Sequence, residues 1–186
     1  MFEANSSDEI LITSGWQGDE PAGWHAAKEL CYILKNCSFI PIISPSCFST
    51  GEHRNSVGKN IDRNWPDATT SEGAILKGMT RDIVRLGKRA IISLHEDPKR
   101  FISYFYAWNE TNQVSELLHK ELNKHFPLSE NTKHTAPQGL FCEYAVESGC
   151  DMAIQLETPA DGSYPLAKRV ECQVDVVKSL VKSLTL

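Results

Sequence analysis

The chain has 186 residues, with 19 Lys and Arg against 24 Asp and Glu, six His and a formal net charge of −5. That balance argues against nucleic acid or an anionic membrane surface as the main partner. The length suits one domain, residues 1-186, with a full two- or three-layer core. No apolar run approaches the ~20 residues that span a bilayer. The polar start from Met1 to Glu9 lacks signal-peptide layout, so a cytoplasmic location is the expectation. Six cysteines (Cys31, Cys37, Cys47, Cys142, Cys150, Cys172) form no CxxC pair, and in that compartment they read as reduced, partly buried thiols.

Ile10-Leu11-Ile12-Thr13 is an apolar run that reads as a buried strand. Gly15-Trp16-Gln17-Gly18-Asp19-Glu20 follows as a tight turn, and Pro21 suits the first turn of a helix. Ala22, Ala26, Leu30, Ile33 and Leu34 predict that helix over 21-35. Phe39 to Ile43 is a short strand, with Pro41 favouring an edge or irregular position. From Ser44 to about Thr70 runs a polar loop, long for a compact domain and therefore a candidate for function.

Ala74, Ile75, Met79, Ile83 and Leu86 mark a second helix that ends near Gly87. Ala90 to Leu94 is a strand ending at His95, and the aromatic stretch from Phe101 to Trp108 is a strand or irregular wall. Val114, Leu117, Leu118 and Leu122 mark a third helix, and 127-139 reads as loop. Strands are expected around 139-145 and 151-156, the latter ending in Gln155-Leu156-Glu157. Leu166, Val170, Val174, Val177, Val181 and Leu184 form the stripe of a closing helix. Alternating strands and helices predict an α/β fold: one three-layer domain, a mixed and largely parallel sheet with helices on both faces.

The strand ends collect an amide oxygen, a carboxylate, an imidazole and a second carboxylate at the carboxyl edge, where such sheets bind ligands. These are the parts of a hydrolytic zinc site. Each alone has a plainer reading: Glu20 as a helix-start acid, His95 as a bonded structural imidazole, Glu157 before Thr158-Pro159 as a strand exit, and Arg54 and Arg63 as surface charges. Their joint order is what carries the argument.

Gly15-Trp16-Gln17-Gly18-Asp19-Glu20, Asn60-Ile61-Asp62-Arg63-Asn64-Trp65-Pro66, Ser93-Leu94-His95 and Gln155-Leu156-Glu157 resemble, in order, four signatures of the zinc carboxypeptidase (M14) family. The likeness is nearest in style to bacterial murein-peptide carboxypeptidases. It implies one zinc ion held by Gln17, Glu20 and His95. It also implies that Glu157 is the general base, taking a proton from the attacking water and handing it to the leaving amine. Arg63 matches the arginine that grips the substrate's terminal carboxylate, and Arg54 the one that stabilises the oxyanion. The partner implied is a small peptide with a free carboxylate.

Two positions depart from the pattern. Gln17 stands where the family has histidine, which weakens zinc binding; some bacterial members look similar in using Gln, and His25, a turn into the helix, is a distant substitute. Asp62 stands where an asparagine is usual, so it either orients Arg63 or receives a substrate ammonium, as on meso-diaminopimelate. The family's capping tyrosine has no clear match: Tyr144 falls in an expected strand, leaving Tyr104 or Tyr106. The alternatives are a deacylase of the succinylglutamate desuccinylase/aspartoacylase type and a silent binding protein that keeps the pocket.

Overall fold

The computed structural model describes residues 9–65, 71–126, 128–133, 135–160 and 162–185. The opening apolar run is β1 (Ile10–Thr13), buried throughout, and Pro21 starts α1 (Pro21–Ile33). Next come β2 (Ser38–Ile40), α2 (Pro45–Thr50) and a 3-10 turn at Asp62–Asn64. The remainder is α3 (Ser71–Leu86), β3 (Ala90–Asp97), β4 (Ser103–Trp108), α4 (Asn112–His125), β5 (Leu128–Lys133), α5 (Phe141–Glu147), β6 (Ala153–Pro159) and α6 (Leu166–Thr185).

The strands form one sheet in the order β2-β1-β3-β6-β4-β5. Neighbours are parallel except β4 and β6. β3 and β6 lie at its centre and are buried almost end to end, as expected of strands covered on both faces. Side chains alternate between the faces. Ile10, Ile12 and Ile92 pack with Leu30, Leu118 and Leu180 of α1, α4 and α6. Leu11 and Ile91 pack the other way, with Ile83 of α3 and Phe141 of α5. The result is the predicted three-layer α/β arrangement.

Two segments differ from expectation. The stretch 139-145, expected as a strand, instead contributes to α5, because Phe141, Cys142 and Ala145 bury one face of nearly two turns of helix. The stretch 127-139, expected as loop, contains β5, whose polar sequence suits an edge strand. The long loop from Ser44 holds α2 and the 3-10 turn, while Pro66 and the loop's last residues, to Thr70, lie outside the described residues.

The turn after β1 is clamped from the side. Gly15 has φ +64°, and a Cβ there would meet the Pro41 carbonyl at 2.7 Å. A Cβ at Gly18 would lie 1.9 Å from the Cys47 carbonyl oxygen, so only glycine permits this approach. Backbone hydrogen bonds from Ile43 to Ser14 (3.1 Å), Ser44 to Gly15 (2.9 Å) and Gly18 to Glu52 (2.8 Å) fix the turn against the 41–52 segment. Gln17 and Glu20 are therefore presented by a rigid loop.

Candidate functional site

Register decides which side chains meet at the carboxyl edge. His95 of β3 lies opposite Glu157 of β6, and Ser93 opposite Gln155. Tyr104 and Tyr106 of β4 lie opposite Glu157 and Gln155. Cross-strand neighbours share a face, as do residues two apart on one strand, so these six side chains stand on one patch of sheet. Gln17, Glu20, Asp62, Arg63, His95 and Glu157 line one cleft of about 250 Å³ with Tyr104, Tyr106, Gln155 and His53. A larger groove of about 560 Å³ lies beside α3, but it is apolar. Its one carboxylate, Glu72, is tied to Ser44 and Ser46.

Glu20 caps α1 by position but forms no side-chain cap bond. Its Oε2 instead accepts from the Glu96 backbone N–H at 3.2 Å and lies 3.1 Å from His95 Nδ1. The helix end is satisfied from β3, where Glu96 Oε2 accepts from Ala22 N at 2.7 Å. Arg169 of α6 holds the other oxygen of Glu96. His95, 1% exposed, has its Nε2 2.9 Å from Ser93 Oγ, and its ring stacks on Trp16 with centroids 6.2 Å apart. Trp16 in turn packs against Trp65 and Phe141. A ring held on both sides in this way has its Nδ1 aimed at Glu20.

Glu157 accepts from Gln155 Nε2 at 2.9 Å. Burial pushes its carboxyl up to about 8; Glu20 and Asp62 add to this, while His95 and the Gln155 bond oppose it. Burial also raises Glu20, well above the carboxylate range, and Asp62 and Glu96 less so. Among the described residues, three buried acceptors on cleft-lining side chains lack a partner: Gln17 Oε1, Asp62 Oδ1 and Gln155 Oε1. Buried orphan acceptors are costly. A cleft with raised carboxyls and unpaired oxygens is chemically suited to a cation or to substrate donors.

Arg63 reaches the cleft with an exposed side chain. Arg54 does not: it is exposed, and its guanidinium donates to Gly58 O at 3.0 Å within its own turn. The oxyanion role expected of Arg54 therefore has no support in this arrangement. His25 is exposed on α1 with its ring against Trp24, away from the cleft. Tyr144 sits on α5, not on a strand. Tyr104 lines the cleft, donating its hydroxyl to Asp97 Oδ2 at 2.7 Å, and Tyr106 stands beside it at 5.5 Å between ring centroids.

Three residues of the cleft, His53, Asn60 and Gln155, have no role of their own in the sequence reading. His53 Nδ1 lies 3.2 Å from Asp19 Oδ1 and 3.8 Å from Glu20 Oε1, so Asp19, Glu20 and His53 bring ligand atoms within 4.8 Å of one another. Asp19 pushes the His53 pKa up, against burial. Asn60 bonds Gln17, and Gln155 bonds Glu157. A lone histidine on a loop and two neutral amides carry no spacing signal of their own.

Known structures share this architecture. A protein of Shewanella amazonensis provisionally described as a metallopeptidase superimposes with a TM-score of 0.82 at 23% identity, covering 95% of this chain and 77% of that one. The mDAP-bound form of Helicobacter pylori Csd4, a D,L-carboxypeptidase, gives 0.74 at 18% identity, covering 95% of this chain and 50% of Csd4. A succinylglutamate desuccinylase from Silicibacter gives 0.67 at 15%, with coverage of 95% and 56%. No family model and no curated sequence matches the chain. The fold is thus shared with these three proteins, in agreement with the fold expected from the four motifs.

Proposed function

We propose that this protein is a metal-dependent hydrolase of the carboxypeptidase type, cleaving an amide next to a free carboxylate. The observation that carries the reading is the convergence of Gln17, Glu20, His95 and Glu157 on one cleft at the carboxyl edge of the sheet. The donor set fits a zinc ion: a buried amide oxygen without a partner, a carboxylate and an imidazole fixed by Trp16 and Ser93. When bound, the ion supplies Lewis acidity at the scissile carbonyl and makes water nucleophilic at neutral pH.

The chain's own groups do the rest. Glu157, its pKa lifted toward the working pH, takes a proton from the attacking water and delivers it to the leaving amine. Arg63 offers the substrate carboxylate two parallel hydrogen bonds. Asp62 is buried, with Oδ1 unpartnered and its carboxyl accepting from the Phe141 backbone, which suits it to a substrate ammonium.

Carboxylate and ammonium on one carbon are the terminus of meso-diaminopimelate, so small murein peptides are the preferred substrate class. The likeness to Csd4, seen in mDAP-bound and tripeptide-bound forms, favours the same class. The test compares release of diaminopimelate with release of C-terminal alanine. Wild type should prefer the diaminopimelate terminus and Asp62→Asn should lose that preference; equal rates in both proteins defeat the Asp62 assignment. The likeness to the desuccinylase favours a second reading, deacylation of N-acyl amino acids. Turnover of those compounds but not of peptides would decide for it.

A further inference from the structure

Asn60 and Gln17 present a problem of orientation. A carboxamide can offer its oxygen or its nitrogen to a cleft, and only the oxygen binds a cation. The geometry around Asn60 resolves which. Its Oδ1 lies 3.1 Å from the backbone N of Asp62 and 3.4 Å from that of Arg63. Both are donors, so Oδ1, not Nδ2, must face them, and the amide of Asn60 is oriented without reference to Gln17. The same Oδ1 lies 3.2 Å from the Gln17 side chain. An oxygen there accepts only from Nε2–H, which leaves Oε1 as the other end of a side chain that lines the cleft, buried and without a partner among the described residues.

The same amide also orients His53. Asn60 Nδ2 lies 3.2 Å from His53 Nε2, so that ring nitrogen accepts and the proton sits on Nδ1, where it donates to Asp19. His53 thus joins Asp19 and Asn60 in one hydrogen-bonded brace.

Building on the metal site proposed above, we propose that Asn60 is a positioning residue that makes glutamine usable as a ligand at position 17, by locking the Gln17 amide with its oxygen toward the cleft. Without that acceptor the Gln17 amide has no preferred end. Partners of this kind, one step removed from a metal, commonly change affinity by ~10–100-fold.

The experiment measures zinc affinity of the full chain by competition with a chromogenic chelator. Asn60→Leu removes the oxygen at similar size and should weaken zinc by ~10–100-fold, whereas Asn60→Asp keeps the oxygen and should retain binding. The decisive background is Gln17→Glu. A carboxylate has no wrong end, and the Asn60 oxygen repels it, so adding Asn60→Leu there should cost nothing or tighten binding. Equal losses in both backgrounds would mean that Asn60 merely supports the loop, and no loss in the wild-type background would also overturn the proposal. Zinc bound by wild type and lost in Glu20→Ala, together with either of those results, defeats the Asn60 assignment alone. Absence of such zinc from wild type defeats the metal site and this inference together.

Discussion

Glu157 makes the metal-free protein lose stability as pH rises, and the size of the loss follows from its surroundings. The carboxyl is 7% exposed, and burial moves it from an ordinary 4.5 to about 8 in the folded chain. Below pH 4.5 it is protonated whether the chain is folded or not. Between 4.5 and 8 the unfolded chain releases the proton while the folded chain keeps it, so stability falls by ~1.4 kcal/mol per pH unit. Over 8 − 4.5 = 3.5 units the loss is on the order of 5 kcal/mol, a large share of the 5–15 kcal/mol typical of a domain. Glu20, Asp62 and Glu96 are raised too and tilt the curve the same way. The contribution of Glu157 is therefore read as the difference between wild type and Glu157→Gln. Urea unfolding followed by circular dichroism in excess chelator, from pH 5 to pH 9, should show the variant gaining on wild type by several kcal/mol across that range. A difference that does not change with pH, or that shrinks as pH rises, would refute the placement of this carboxyl in a dry cleft.

Arg63→Ala should raise KM for peptides with a free terminal carboxylate by ~10–100-fold, matching the 1.5–3 kcal/mol of a charged hydrogen bond, and leave amidated peptides unaffected. Arg63→Lys should rescue poorly, because an ammonium cannot form the paired contact. Initial rates on the two substrate forms check this. Arg169→Met strips the partner from Glu96, whose side chain is fully buried, and should cost ~3–5 kcal/mol of unfolding free energy. Adding Glu96→Gln should recover part of it, since the neutral amide can still meet the α1 amide group.

Much of the fold was legible because burial repeats with a period. β1 opens on an unbroken apolar run, β3 and β6 each open on an apolar stretch before their polar ends, and the stripe from Leu166 to Leu184 is an unmistakable helix face. Misreadings fell where elements are too short or too polar for periodicity. α5 is seven residues long, less than two helical turns, and its Phe and Val resemble strand composition. β5 carries Ser, Glu, Asn, Thr and Lys, the composition of a loop, and owes its pairing to its place beside β4. In the cleft, the titratable groups Glu20, His95 and Glu157 could be picked out from sequence because they stand in motifs next to apolar runs. Arg54 misled, since sequence gives a loop residue's address and not its direction, and a local turn turns its guanidinium onto Gly58. Asn60 and Gln155 escaped notice because a neutral amide acquires a role only from what lies opposite it.

Metal content tests most directly whether Gln17, Glu20 and His95 hold a cation. Protein purified without chelator and analysed by mass spectrometry should carry one zinc per chain. Glu20→Ala and His95→Ala should each lose it, while His25→Ala keeps it. A wild-type chain that takes up no metal under zinc supplementation, or that holds zinc equally well without Glu20 and His95, would contradict the account.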